Sequence, residues 1–284
     1  MNLCRFRGAD EREHAGLVLE NQVLDLSAAG IDRLSSLFEL EGLHSQLNRL
    51  ANQDLPKYAL EEVKILPPVD RQEVWAAGVT YLRSKKARME ESDFSATAYD
   101  KVYEASRPEL FFKAMPNKVV ASGGAVGIRK DAKWNVPEPE LVLILNSHGH
   151  IAGYSIGNDM SSRDIEGENL LYLPQAKIYD RSCAMGPFIR VGATESEART
   201  WAIQIEITRQ GESTFKGETS VSQIKRSFGE LADYLFRSQS FPHGAALLTG
   251  TGIVPPNDFT LQPADKIRIK ISGIGELVNE VREV

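Results

Sequence analysis

Two apolar rhythms run along this chain. Near its start, Leu37, Leu40, Leu43, Leu47 and Leu50 recur about every 3.5 residues, which predicts one amphipathic helix over residues 36–52. Apolar stretches at 3–6 and 16–24 predict strands before it. From residue 74 onward the apolar stretches shorten and are bounded by turn residues, the mark of strands. Strands are expected at 74–77, ending at Gly78, and at Leu110-Phe111-Phe112, which reads as buried. Residues 140–145 and 151–156 flank Asn146-Ser147-His148-Gly149-His150 and form a hairpin pattern, and 201–208 and 212–217 do the same around Gln210-Gly211. Val221, Ile224, Phe228, Leu231, Ala232 and Leu235 fall at helical spacing and predict a helix over 221–238. Residues 84–107 read as a charged helix, 161–169 as a short one, and 267–271 with 276–281 as a last strand pair. Many hairpins and few helices argue for an α+β, mainly β chain with a largely antiparallel core, not a doubly wound sheet. Ile65-Leu66-Pro67-Pro68 reads as a linker, because paired prolines interrupt regular structure. It divides a small N-terminal α/β module (1–68) from a larger domain (69–284).

Composition narrows the partners. The 284 residues carry a net charge of -6 with a pI near 5.5 and no basic block, which argues against nucleic acid. The longest unbroken apolar run, Leu141 to Leu145, is far too short to span a bilayer, and the first residues lack a signal-peptide pattern. Cys4 and Cys183 stand in unrelated contexts, so no disulfide framework is implied. A cytoplasmic location is the expectation, with no membrane partner.

The candidate chemistry is acidic. Glu138 and Glu140 are two residues apart in Pro137-Glu138-Pro139-Glu140, so an extended strand would aim both to one face. With Asp159 they offer an oxygen-only cluster of the kind that Mg²⁺ prefers. Lys177 would then set a positive charge against an anionic substrate, which suggests enolate chemistry on a small keto acid. Taken alone, two glutamates on a strand are more often a solvated face, and Asp159 could instead cap the 161–169 helix.

The order of motifs sharpens this. Glu138-Pro139-Glu140 comes first, then Asn158-Asp159-Met160-Ser161-Ser162-Arg163-Asp164. Gln175-Ala176-Lys177 follows, with Cys183-Ala184-Met185-Gly186-Pro187, and then Pro242-His243-Gly244 with Leu248-Thr249-Gly250-Thr251-Gly252. Together they resemble the fumarylacetoacetate hydrolase superfamily over roughly residues 70–280. Arg107-Pro108-Glu109-Leu110-Phe111-Phe112-Lys113-Ala114 and the stretch from Glu168 to Tyr179 are similar to its branch of 2-keto-3-deoxy-D-arabinonate and D-xylonate dehydratases.

The resemblance implies a mixed β-sandwich roll with a small N-terminal domain, assembled as a homodimer. It implies that Glu138, Glu140 and Asp159 bind Mg²⁺, for which Mn²⁺ or Ca²⁺ may substitute. A 2-keto acid would chelate that ion, and the chelated enolate would lose a C4 hydroxyl. Lys177 would face the oxyanion, Glu109 would act as base or acid, and Thr251 with Gly250 would hold the substrate carboxylate. Arg163 would hold Asp159 or the substrate, and Tyr81 and Arg83 would belong to a lid. Two departures bear on the reaction. Family hydrolases carry a histidine shortly after a Gly near the first core strand, whereas Gly78-Val79-Thr80-Tyr81-Leu82-Arg83-Ser84 has none; and Glu166 stands where they have Gln. Both put a C–C hydrolase of the acylpyruvate or fumarylacetoacetate type in doubt and fit dehydration better; an oxaloacetate decarboxylase and a non-catalytic keto-acid binder are further alternatives, and the intact ligands with Lys177 and Glu109 count against the binder.

Overall fold

The unbroken run Leu141–Leu145 is explained by burial on both faces. In the computed structural model, strand Pro139–Leu145 sits inside an 11-stranded mixed sheet, between strands Ile151–Asp159 and Ala245–Leu248. Leu141, Leu143 and Leu145 point into one apolar layer, shared with Ile203, Ile205 and Ile267 of a second, five-stranded sheet. Val142 and Ile144 point into another layer, covered by Leu34, Leu37 and Leu47 from the N-terminal helices. A strand covered on both sides has no polar face to alternate with, so it reads as continuous apolar sequence. The five-stranded sheet has one wet face, and Lys266–Ile271 accordingly alternates exposed and buried residues.

The structure describes residues 1–83 and 101–284; most of the charged helix expected over 84–107 lies outside them. The expected hairpins are present, as Pro139–Leu145 with Ile151–Asp159 and as Ala202–Arg209 with Glu212–Ser220. Lys266–Ile271 pairs with Gly275–Glu283 as anticipated. Both longer helices are shorter than their periodicity suggested. The first is broken into Leu34–Leu37 and Leu43–Ala51 by Gly42 at φ 61°, which leaves Leu40 41% exposed. The second begins only at Phe228, where the Ser227 side chain accepts from the Glu230 amide; Val221 and Ile224 are buried from a 3-10 turn and an extended link. Capping chemistry thus overrode an apolar period that continued past the helix end.

The expected linker is packed. Lys64–Leu66 forms a strand against Asn2–Arg7, and the Arg5 guanidinium donates to the Pro67 carbonyl at 2.9 Å. The two prolines fall just after the last residue of that ladder, so they end it without preventing it. The strand Asn2–Arg7 also pairs with Cys183–Arg190, so the N-terminal strands extend the large sheet. Strand Glu109–Ala114 exists as expected, but its buried residues are Lys113 and Ala114, while Phe111 and Phe112 are only half-buried.

Because Leu143 is wholly buried between the two sheets, Leu143→Ala should lower unfolding free energy by about 2–5 kcal/mol. Urea denaturation followed by far-UV circular dichroism measures it.

Candidate active site

Hairpin register builds the site. Pro139 lies opposite Asn158, and one step further the Asp159 amide donates to the Glu138 carbonyl at 3.0 Å. Glu138 and Asp159 are therefore cross-strand neighbours, and Glu140 follows on the Glu138 face. Carboxylate oxygens of Glu138, Glu140 and Asp159 lie within 4.8 Å of one another, and all three residues are buried. The same pocket is lined by Glu109, Phe111, Arg163, Glu166, Lys177, Gly250 and Thr251.

Cations hold the carboxylates from behind. Lys177 ends helix Leu173–Lys177, and its Nζ donates to Glu138 Oε2 at 2.8 Å, Asp159 Oδ2 at 3.1 Å and Ser161 Oγ at 2.6 Å. Arg163 starts helix Arg163–Glu168, lines the pocket and donates to Glu138 Oε1 at 2.7 Å, the neighbour of the expected Asp159. Its guanidinium carbon stands 5.9 Å from the Trp134 ring centroid. Asp159 caps no helix, since that place is taken by Ser162.

The glycine-rich turn supplies backbone. The Gly250 amide donates to Glu140 Oε2 at 2.6 Å. Gly250 has φ 90°, and a Cβ there would stand 2.1 Å from Thr80 Oγ1 and 3.0 Å from the Ala77 carbonyl oxygen. Only glycine meets both conditions. Thr251 lines the pocket, with its hydroxyl accepting from the Ile253 amide at 3.2 Å.

Glu109 enters from the neighbouring strand pair. It lies opposite Gly78, where a Cβ would come within 2.0 Å of Glu109 Oε2, so the missing side chain makes room for the carboxylate. Phe111 follows on the same face and lines the pocket. Tyr81 and Arg83 stand beside the pocket without lining it. Tyr81 is 1% exposed within the main apolar layer, and Arg83 is exposed, donating to the Val254 carbonyl at 3.4 Å. Neither is part of the pocket wall.

Two pocket-side groups escaped the sequence reading. Glu166, expected only as a departure from Gln, is buried in the pocket wall beside Arg163. Their i, i+3 spacing on one short helix was the available signal. Lys113 is wholly buried behind the cluster, ion-paired with Asp159. The alternation Glu109, Phe111, Lys113 pointed all three to one face. None of the five histidines lines the pocket, and His148 and His150 are exposed in their hairpin turn. Cys183 is buried, its thiol pushed up to about 12 by burial, and it packs as an apolar residue.

The donor set fits a hard divalent cation. Burial, and then the charges of Asp159 and Glu138, push the Glu140 carboxyl well above the ordinary carboxylate range; Lys177 and the Gly250 amide oppose this. Three all-oxygen donors converge where added positive charge would relieve that repulsion, which suits Mg²⁺ by ligand type and number.

Residues 73–282 match the family described as fumarylacetoacetate (FAA) hydrolase C-terminal. The chain belongs to that family. Among family members, the "Probable 2-keto-3-deoxyxylonate dehydratase" of Haloferax volcanii is 48% identical over 217 residues, 76% of this chain and 74% of the relative. The 2-dehydro-3-deoxy-D-arabinonate dehydratase of Saccharolobus solfataricus is 40% identical over 232 residues, 81% of this chain and 78% of the relative. A solved structure of 2-keto-3-deoxy-D-arabinonate dehydratase complexed with magnesium and 2,5-dioxopentanoate superimposes with TM-score 0.83 at 32% identity, covering 100% of this chain and 99% of that one. The family fold expected from the motifs is the fold observed.

Gly250→Ala should cost about 1–3 kcal/mol of stability, because the new methyl meets both a positive φ and the Thr80–Ala77 wall. Chemical denaturation measures this cost, and an unchanged stability would remove the packing reason for that glycine.

Proposed function

We propose that this chain is a Mg²⁺-dependent dehydratase of 2-keto-3-deoxy pentonates. One observation carries the reading: three buried carboxylates, Lys177 and Glu109 share one pocket in a fold whose solved relative holds magnesium and 2,5-dioxopentanoate. Glu138, Glu140 and Asp159 would hold the ion, and Mn²⁺ or Ca²⁺ would substitute for it. When bound, Mg²⁺ supplies positive charge to the C1 carboxylate and C2 carbonyl oxygens of a 2-keto acid, which acidifies C3.

The chain's own groups do the rest. Lys177 is anchored by Glu138, Asp159 and Ser161, so its ammonium is preorganised beside negative charge gathering on the C2 oxygen. Glu109 takes the C3 proton and returns a proton to the departing C4 hydroxyl. The C3–H and C4–O bonds break, a C3–C4 double bond forms and water leaves. A proton then moves from C5 to C3 as the double bond shifts to C4–C5, and this enol tautomerises to the aldehyde, giving 2,5-dioxopentanoate. Thr251 and Arg163 line the wall that receives the carboxylate and hydroxyls. With no histidine in that wall, a carboxylate is the available proton carrier, and dehydration is favoured over hydrolysis by an imidazole-activated water.

All wall residues fall between Ala77 and Val254, which supports placing catalysis in residues 69–284 with 1–68 as an N-terminal module. No helix among the described residues is long and apolar enough to cross a membrane. The reading extends to a homodimer, as the family resemblance implies, with the cytoplasm as its location.

Chelator-treated protein should lose water from a 2-keto-3-deoxy pentonate only after Mg²⁺ is returned, with the product identified by mass. Glu140→Gln should end turnover while keeping the fold, since the amide oxygen still accepts from Gly250. Release of pyruvate from an acylpyruvate instead of water from the pentonate would overturn the assignment.

The Glu109 role has a separate check. Gly78→Ala must push the Glu109 carboxylate aside, so kcat should fall on the order of 10²-fold with little change in stability. Glu109→Gln should lower it by about 10²–10⁴-fold. Full turnover in both would remove Glu109 from the reaction.

A further inference from the structure

Lys113 has no place in the reaction above, yet it is among the largest fully buried side chains of the molecule. It follows Glu109 and Phe111 on one face of strand Glu109–Ala114, one alternation deeper than the pocket wall. An ammonium has three N–H donors and no acceptor. Three oxygens meet this one: the Met160 carbonyl at 3.0 Å, the Lys177 carbonyl at 2.5 Å, and Asp159 Oδ1 in an ion pair. These acceptors belong to the two segments that carry Asp159 and Lys177.

The two oxygens of Asp159 are thereby sorted. Oδ1 faces Lys113, whereas Oδ2 lies 3.1 Å from Lys177 Nζ, which itself reaches Glu138 Oε2 at 2.8 Å. We propose that Lys113 is a positioning residue of the metal site. It holds Asp159 by Oδ1 so that Oδ2 alone is offered to the cation, and it fixes the backbone at the root of Lys177. An apolar side chain would fill the same space without desolvating a charge, so packing alone gives no reason for a buried lysine here. Groups that orient metal-binding carboxylates from behind tune the affinity of the site.

The inference rests on the metal-binding reading, and one experiment separates the two. Mg²⁺ is titrated calorimetrically into the unmodified protein, Lys113→Met and Lys113→Arg, with folding checked by circular dichroism. The unmodified protein should bind Mg²⁺, and absence of binding there would sink the metal reading itself. Lys113→Met should bind at least about tenfold more weakly. Lys113→Arg keeps the charge, but its planar fork cannot serve three acceptors arranged around an ammonium, so it too should lose affinity. A folded variant of either kind with unaltered Mg²⁺ affinity overturns the proposal. Failure of both to fold assigns Lys113 to the fold alone and overturns it as well.

Discussion

Three carboxylates can share a dry pocket only if positive charge stands among them, and the rest of this fold arranges that. Glu138, Glu140 and Asp159 converge at the open end of a hairpin whose strands are buried along residues 139–145 and 153–159. In such a low-dielectric place, like charges repel strongly and unpaired ones are expensive. The structure responds with Lys177 and Arg163 on Glu138, Lys177 and Lys113 on Asp159, and a backbone amide on Glu140. Among the described residues no cation bonds Glu140 directly, and burial with the charges of Asp159 and Glu138 pushes its carboxyl well above the ordinary carboxylate range. That asymmetry leaves one side of the cluster electrostatically unsatisfied, and it is the side that faces the pocket with Gly250 and Thr251.

The sheet makes this arrangement durable. Strand Pro139–Leu145 is paired on both edges and covered on both faces, so neither its register nor its side-chain direction can drift without exposing a core layer. Asp159 is similarly fixed, because it pairs with Cys183 on one side and with Glu138 on the other. Even the glycine turn is tied in, since Thr80 donates to the Thr249 carbonyl at 2.6 Å and so links the segment after Gly78 to the Gly250 amide. Rigid elements with paired edges are what a metal site needs, because its ligands must hold position against mutual repulsion.

Much of this was legible in the residues. Period-two spacing put Glu138 and Glu140 on one face, and the turn at Asn146–His150 put Asp159 within reach of them. Local patterns carry that information directly. What local patterns do not carry is where an element stops when apolar spacing runs on, and so periodicity alone overextends the helices over 36–52 and 221–238. Gly42 and Ser227 settle those ends through backbone and capping chemistry. The sequence points Arg163 to Asp159 or the substrate; its bond to Glu138 depends on how the 163–168 helix packs on Trp134, a tertiary fact. Tyr81 was read as part of a lid because it follows a strand end, yet its ring is closely confined by Gly252 in the core. Lys113 was legible only in hindsight, because a lysine between Phe112 and Ala114 reads as a strand edge until its burial is known.

The proton chemistry follows from what occupies the space beside Gly78. With no Cβ at that position, the Glu109 carboxylate reaches the pocket, and a larger residue there would exclude it. The next residues take other duties: Val79 lines the wall, Thr80 ties the glycine turn and Tyr81 fills the core. None of them can carry a proton at neutral pH; burial raises the Tyr81 hydroxyl above its already high ordinary value. A carboxylate can take a proton from an acidified carbon and pass one to a departing hydroxyl, which is the role proposed for Glu109. In the proposed reaction, the entry of Glu109 into the pocket would rest on a pairing across two strands, Gly78 with Glu109.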